Sequence, residues 1–204
     1  MQREKRLDVL INGAGYGLYG TLEEVSLTQA RHEFAVNVFG LAAMTQQVLP
    51  LMRAQRSGRI INLSSVAGKV STPLAGWYAA SKHAVEALSD ALRLEVAHVG
   101  IQVVLIEPGA IKTEFDGVAL DSLDAVQRPE EYRTLAASFT QLLRNSYQRA
   151  SGPAVVARVI GQAVAARHPR ARYALPLDSR AFIALKRWAR ETNLDRILLS
   201  QMRV

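Results

Sequence analysis

The sequence predicts an α/β fold built as a doubly wound parallel sheet. Short runs rich in Val, Ile and Leu recur without alternating polar residues, as strands buried on both faces require. Long stretches of helical periodicity separate them, and strand–helix–strand–helix–strand is the order of successive crossovers in such a sheet.

Residues 7–11 form the first expected strand. Residues 28–55 follow as a helix, with Phe34, Val38, Leu41, Thr45, Val48 and Met52 near helical spacing. Residues 59–63 give the second strand, and residues 76–98 a second long helix carrying Tyr78, Val85, Leu88, Leu92 and Val96. Residues 101–106 are the third strand, closed by the turn pair Pro108-Gly109. Residues 113–132 are polar and turn-rich, and residues 131–149 return to helical periodicity. A helix over 153–167 has proline in its first turn, residues 171–175 read as a last strand, and helical segments follow Pro176. With no repeat and no low-complexity linker, residues 1–204 read as one domain.

At 49% hydrophobic and 21% charged, the composition is that of an ordinary globular chain. The absence of cysteine excludes disulfides, thiolate catalysis and zinc–thiolate sites. His32, His83, His98 and His168 lack metal-ligand spacing, so no metal site is expected. The N-terminal apolar stretch is too short for a signal-peptide core, and no run approaches the ~18 apolar residues of a spanning helix. The expectation is a soluble, cytoplasmic chain. The net charge of +7 is uneven, with 14 Lys/Arg against 5 Asp/Glu from Arg128 onward. That basic third fits either a solvated surface or weak association with an acidic membrane surface. Nucleic acid is not expected, because no aromatic–basic platform accompanies the charge.

Tyr78 and Lys82 stand four residues apart on the second long helix, and therefore on one face. Two charges about 5 Å apart at an effective dielectric of ~20 interact by roughly 3 kcal/mol, or about two pKa units. The ammonium would bring the phenol from ~10 toward ~8, useful for acid–base chemistry near neutrality. The alternative is a packed tyrosine beside a snorkelling lysine.

Gly15, Gly17 and Gly20 satisfy G-x-G-x-x-G after a strand. A dinucleotide fingerprint, however, needs an acid about 20 residues on, at the end of a second strand. Here residues 35–40 lie inside the first long helix, so the literal fingerprint is set aside.

Around the Tyr–Lys pair stand Asn12-Gly13-Ala14-Gly15 after the first strand, Asn37 in the first long helix, Ser65 after the second strand, and Pro108-Gly109-Ala110-Ile111-Lys112-Thr113 after the third. Tyr78 and Lys82 follow Ser65 by 13 and 17 residues. All but the helical Asn37, Tyr78 and Lys82 lie at the carboxyl ends of parallel strands, where open α/β sheets bind ligands.

This order and spacing, over about residues 7–113, resembles the short-chain dehydrogenase/reductase family in its shorter form. The text from Gly15 to Val25 is similar to members related to hydroxysteroid and retinol dehydrogenases. The resemblance implies a Rossmann-like domain and an NAD(P)-dependent oxidoreductase interconverting an alcohol and a ketone or aldehyde. By motif, Tyr78 would exchange a proton with the substrate oxygen, and Lys82 would lower the Tyr78 pKa and hold the nicotinamide ribose. Ser65 would hydrogen-bond the substrate oxygen, and Asn37 would hold a water linking the lysine to solvent. Asn12, Ala14, Gly15, Pro108, Gly109, Ile111 and Thr113 would line NAD or NADP, together with Tyr78 and Lys82. A small apolar alcohol or carbonyl substrate would lie under residues 113–149, where Phe115, Val118, Leu120 and Leu123 suggest an apolar lid. A homo-oligomer is implied for the full-length form.

The chain departs from the family pattern at Gly13, where a side chain normally braces the loop. It also lacks the upstream T-G-x-x-x-G-x-G turn and the family's first βαβαβ half, which bind the pyrophosphate and choose between NAD and NADP. The expectation is therefore an N-terminally truncated domain, unable by itself to hold NAD(P) tightly. The rival is a non-catalytic relative acting as an interaction module.

Overall fold

In the computed structural model, residues 6–124, 127–188 and 191–202 are described. Strands β1 (Val9–Asn12), β2 (Gly58–Leu63), β3 (Ile101–Pro108) and β4 (Arg172–Leu175) form one parallel sheet in the order β1-β2-β3-β4. Ile60 pairs with Val103 and Ile61 with Val104. Successive strand residues face opposite sides, and both isoleucines are wholly buried. The sheet is therefore covered on both faces, which explains the unbroken apolar runs.

The described α-helices are α1 (Leu27–Phe34), α2 (Leu41–Gln55), α3 (Gly76–Val96), α4 (Phe115–Asp124), α5 (Arg133–Gln148), α6 (Ala154–Ala165), α7 (Leu177–Trp188) and α8 (Glu191–Gln201). Val48 and Met52 of α2 and Val96 of α3 pack with Ile60 and Val103 on one face. Ala163 of α6 packs with Ile61, Val104 and Ile106 on the other. A separate cluster joins Tyr19, Tyr78, Ala119, Leu123, Phe139 and Met202, so α4 and α5 close over the Tyr78 end of α3.

The first long helix is not uniform. Ser26 and Gln29 cap α1 reciprocally, and between α1 and α2 the chain passes through a π-helical turn, Ala35–Gly40. The whole run Leu27–Gln55 is long and apolar enough to span a bilayer by length and composition, contrary to the sequence expectation. Yet Glu33, Asn37, Thr45, Val48 and Met52 along it are buried within this fold.

Residues 115–124, expected to be turn-rich, form α4. Thr113 Oγ1 accepts from Phe115 N at 3.3 Å, which anchors the entry, and Ala119 and Leu123 at i and i+4 bury one face. On the outer side of the sheet β1 pairs only with β2 among the described residues, and Ile11 is 48% exposed.

Candidate active site

Tyr78 and Lys82 occupy one buried face of α3, as their spacing requires. Lys82 Nζ lies 5.9 Å from the Tyr78 ring centroid and donates to Leu63 O at 3.0 Å. Tyr19 and Phe115 flank the phenol ring, at centroid distances of 5.8 and 5.6 Å. Phe115 belongs to α4, so that helix covers the phenol directly.

The expected acidification of Tyr78 is overturned. Burial pushes its pKa up to about 12; the Ser65 hydrogen bond favours the phenolate and the Glu33 charge opposes it. Burial also pulls Lys82 down to about 8, partly offset by the charges of Glu33 and Glu86. Spacing placed the two groups together but left out desolvation, which acts on both. The ammonium stands over the ring rather than beside an ionised oxygen.

Ser65 follows β2 and caps a short 3-10 turn, its Oγ accepting from Ala67 N at 3.1 Å. The same hydroxyl is in donor range of Pro108 O, 3.3 Å away at the end of β3. Ser65 is thus held between two strand ends and next to the phenol. Its neighbour Ser64 is buried, its hydroxyl without a hydrogen-bond partner among the described residues and packed toward Gly68.

Asn37, in the π-helical turn, is bonded to the loop after β1. Its Oδ1 accepts from Tyr16 N at 3.0 Å, and its Nδ2 donates to Tyr16 O at 2.9 Å and Ser81 Oγ at 3.0 Å. Both amide donors are used, so a water here would rely on remaining acceptor capacity. A Cβ on Gly15 would stand 2.9 Å from Asn37 Oδ1 and 3.5 Å from Lys82 Nζ, so the bare backbone lets the loop pass over both groups. The Asn12 side chain turns inward, donating to Thr45 Oγ1 at 3.2 Å and Asn62 Oδ1 at 2.9 Å. Gly13, Ala14 and Gly15 remain exposed above it.

Pro108 ends β3, and Gly109 N donates to Leu175 O at 2.7 Å. A side chain at Gly109 would collide with Ser179, which explains the glycine without a ligand. Ile111 is buried beside the contact between Lys112 N and Ser151 O, while Thr113 is exposed and caps α4. These positions ring the carboxyl ends of β1, β2 and β3. Of the expected lid residues, Phe115 and Leu123 pack into the Tyr78 cluster and Leu120 is half-buried. The Val118 side chain lies outside the described residues. A groove of about 540 Å³ along α5, lined by Arg128, Arg133 and Arg144 among others, contains none of the expected site residues.

Glu33 escaped the sequence reading. It is wholly buried, and its Oε1 accepts from Leu18 N at 3.0 Å. A single acid in a helix reads as solvated; the available signal was its position one turn before Asn37.

The sequence profile of the short chain dehydrogenase family matches residues 1–122. The uncharacterized oxidoreductase YbbO of Escherichia coli K12 is 40% identical over 191 residues, covering 93% of this chain and 66% of the relative. The NADPH-dependent 3-dehydrocapnine reductase of Ornithobacterium rhinotracheale is 34% identical over 204 residues, covering 98% and 72%. A solved short chain dehydrogenase/reductase from Burkholderia phymatum, in complex with NAD, superposes with a TM-score of 0.75 at 26% identity, covering 89% of this chain and 66% of its own. The chain thus spans about two thirds of the length of the curated relatives it matches. With a family match over more than half its length and a parallel sheet that brings Ser65, Tyr78 and Lys82 to one buried corner, the chain belongs to the short-chain dehydrogenase/reductase family.

Proposed function

We propose that the protein containing this chain is an NAD(P)-dependent oxidoreductase that interconverts a small apolar alcohol and its ketone or aldehyde, with Tyr78 as the acid–base group. The observation that carries this reading is the juxtaposition of Tyr78, Lys82 and Ser65 at the strand ends, walled by Tyr19, Phe115 and Phe139.

The residues present suit the nicotinamide end of a dinucleotide. Lys82 has one hydrogen-bond acceptor among the described residues, Leu63 O, which leaves N–H donors for ribose hydroxyls. Gly15, without a side chain, keeps the approach to Lys82 open, with exposed Ala14 beside it. Pro108, Gly109, Ile111 and Thr113 would line the adjoining wall. Both NADPH and NAD occur among the similar proteins. Bound there, the dinucleotide would supply the hydride.

In the reducing direction, Tyr78 gives its proton to the carbonyl oxygen as the carbonyl carbon receives the hydride. A phenol whose pKa is pushed to about 12 holds that proton until charge develops on the substrate oxygen. Ser65 donates to the same oxygen and stabilises its alkoxide character. Lys82 steadies the phenolate that remains. In this structure α4 covers the phenol, so substrate entry requires that helix to move aside, and its return excludes water from the reacting groups.

The test is oxidation of NADPH or NADH by the purified protein with a panel of apolar ketones and aldehydes, followed optically. Consumption that vanishes in Tyr78→Phe supports the reading. Equal consumption by that variant removes Tyr78 from the chemistry.

A further inference from the structure

We infer that Glu33 is a positioning residue of this acid–base system: one carboxylate oxygen clamps the loop after β1, and the other sets the charge state of the Lys82–Tyr78 pair. The inference rests on the reading of Tyr78 and Lys82 as that pair.

The geometry begins on α1. Glu33 and Asn37 are one turn apart and therefore share a helix face. Each takes hold of the same loop, Asn37 at both backbone groups of Tyr16 and Glu33 at Leu18 N. Just before Tyr16 the loop passes Gly15, whose missing side chain leaves Asn37 Oδ1 and Lys82 Nζ facing the same gap.

Clamping alone does not call for a carboxylate. A neutral amide would accept from Leu18 N equally well, without the desolvation cost of a buried charge. The second oxygen, Oε2, is buried and has no hydrogen-bond partner among the described residues. Such an oxygen is stable when protonated, or when ionised opposite a cation. The titratable groups acting with it are Lys82 and Tyr78 from α3 and Tyr16 and Tyr19 from the loop; Glu86, also on α3, acts on Lys82, and His32 Nδ1 on α1 lies 2.8 Å from the Tyr16 hydroxyl. Among these Lys82 is the cation whose charge acts on the Glu33 carboxyl.

Burial pushes the Glu33 pKa up to about 7, with Leu18 N and Lys82 pulling the other way. Below that pH the carboxyl is neutral, and of the two acids acting on Lys82 only Glu86 still favours its charged form. Above it the carboxylate favours the ammonium form of Lys82, whose own pKa is about 8. Glu33 thereby extends the range over which a cation accompanies Tyr78.

The test is nuclear magnetic resonance titration of the 204-residue chain, with isotope label in the glutamate carboxyl carbons and lysine Nζ. In the parent, the Lys82 signal should inflect at the Glu33 midpoint. In Glu33→Gln, which keeps the acceptor for Leu18 N, the Lys82 midpoint should fall by at least about half a pH unit. Coupling is reciprocal, so Lys82→Met should raise the Glu33 midpoint by a comparable amount. A Lys82 midpoint unmoved in folded Glu33→Gln would reduce Glu33 to a loop clamp. If that variant does not fold, an unmoved Glu33 midpoint in Lys82→Met, or a parent Lys82 curve without the inflection, overturns the proposal. These measurements need neither dinucleotide nor turnover, so their failure is separable from that of the oxidoreductase reading.

Discussion

Lys82 Nζ stands 5.9 Å from the centroid of the Tyr78 ring, with its hydrogen bond directed to Leu63 O. The hydrogen bond that positions the lysine thus goes to the backbone of β2, not to the phenol. Tyr78→Phe should therefore leave Lys82 and the fold in place while removing the transferable proton. The expected outcome is loss of nearly all turnover with dinucleotide affinity retained in the protein containing this chain. Turnover within about tenfold of the parent would remove Tyr78 as the general acid, since acid–base groups contribute roughly 10²–10⁴.

Ser65→Ala should slow turnover by roughly 10²–10³, the scale for losing one preorganised donor to a developing oxyanion. Ser64→Ala is the comparison, because the Ser64 hydroxyl is buried and has no hydrogen-bond partner among the described residues, so its loss strands no acceptor there. Steady-state kinetics of both variants decide the register after β2. A larger defect in Ser64→Ala than in Ser65→Ala would reverse the assignment.

Gly15 and Gly161 should respond to alanine with opposite signs. A Cβ at Gly15 lies 2.9 Å from Asn37 Oδ1, which already holds Tyr16 N, so Gly15→Ala should cost about 1–3 kcal/mol in strain or a broken bond. A Cβ at Gly161 meets nothing within 4 Å, so Gly161→Ala in α6 should stabilise by roughly 0.5–1 kcal/mol through helix propensity. Urea unfolding of the two variants provides the check. A neutral Gly15→Ala would mean the loop does not need its close approach to Asn37.

Stability should fall as pH rises between about 4.5 and 7. Glu33 has its folded pKa raised from 4.5 to about 7, so in that window the native state binds more protons than the unfolded chain. The contribution is fully present below the lower value and lost as pH passes the upper one. For a wholly buried carboxyl this amounts to about 3 kcal/mol. Glu107, also raised to about 7, contributes in the same direction, so Glu33→Gln should make the profile shallower than the parent's and be the more stable protein at pH ~8. A variant whose pH profile parallels the parent's would place the titration elsewhere.

The strands were legible because β2 and β3 are buried on both faces, so Ile60, Ile61, Val103 and Val104 leave no polar gap in the text. The shared helix face of Tyr78 and Lys82, and the place of Ser65 after β2, were legible for a different reason, namely fixed spacing. The π-helical turn was not, because the bonds that accompany it run from Asn37 to Tyr16 and Ser81, 21 and 44 residues away. α4 was hidden by Asp116, Gly117 and Asp121, which break the look of an apolar stripe; its anchors, Ala119 and Leu123, gain meaning against Tyr78. The phenol's pKa followed the same rule. Its partner could be counted along the helix, but its burial depended on Phe115 from α4 and Tyr19 from the loop.

Arg172 offers a test of what holds β4 to the rest of the sheet. Its Nε lies 3.2 Å from Glu86 Oε2 and 3.1 Å from Glu107 Oε1, and its terminal nitrogen 2.5 Å from Asp90 Oδ2. One guanidinium thus bridges α3 and β3 from β4. Glu86 and Glu107 are almost wholly buried, and burial together with the Glu86 charge holds Glu107 well above the usual carboxylate range. Lys69 also pairs with Glu86 at 2.5 Å but stands 3.7 Å from Glu107, so it compensates one carboxylate better than the other. Arg172→Leu should destabilise, with most of the penalty falling on Glu107, but by less than the roughly 3–5 kcal/mol of a stranded buried charge, because Glu107 can take up a proton and Lys69 stays 3.7 Å away. Adding Glu107→Gln should then recover part of the loss by removing the uncompensated charge. Arg172→Lys should recover less than the parent side chain, since a single ammonium cannot match a planar fork reaching several carboxylates. Chemical denaturation of the single and double variants measures the coupling directly. Additive losses for Arg172→Leu and Glu107→Gln would show that the two residues do not act as a unit, and that the packing of Leu175, not the ion network, carries the attachment of β4.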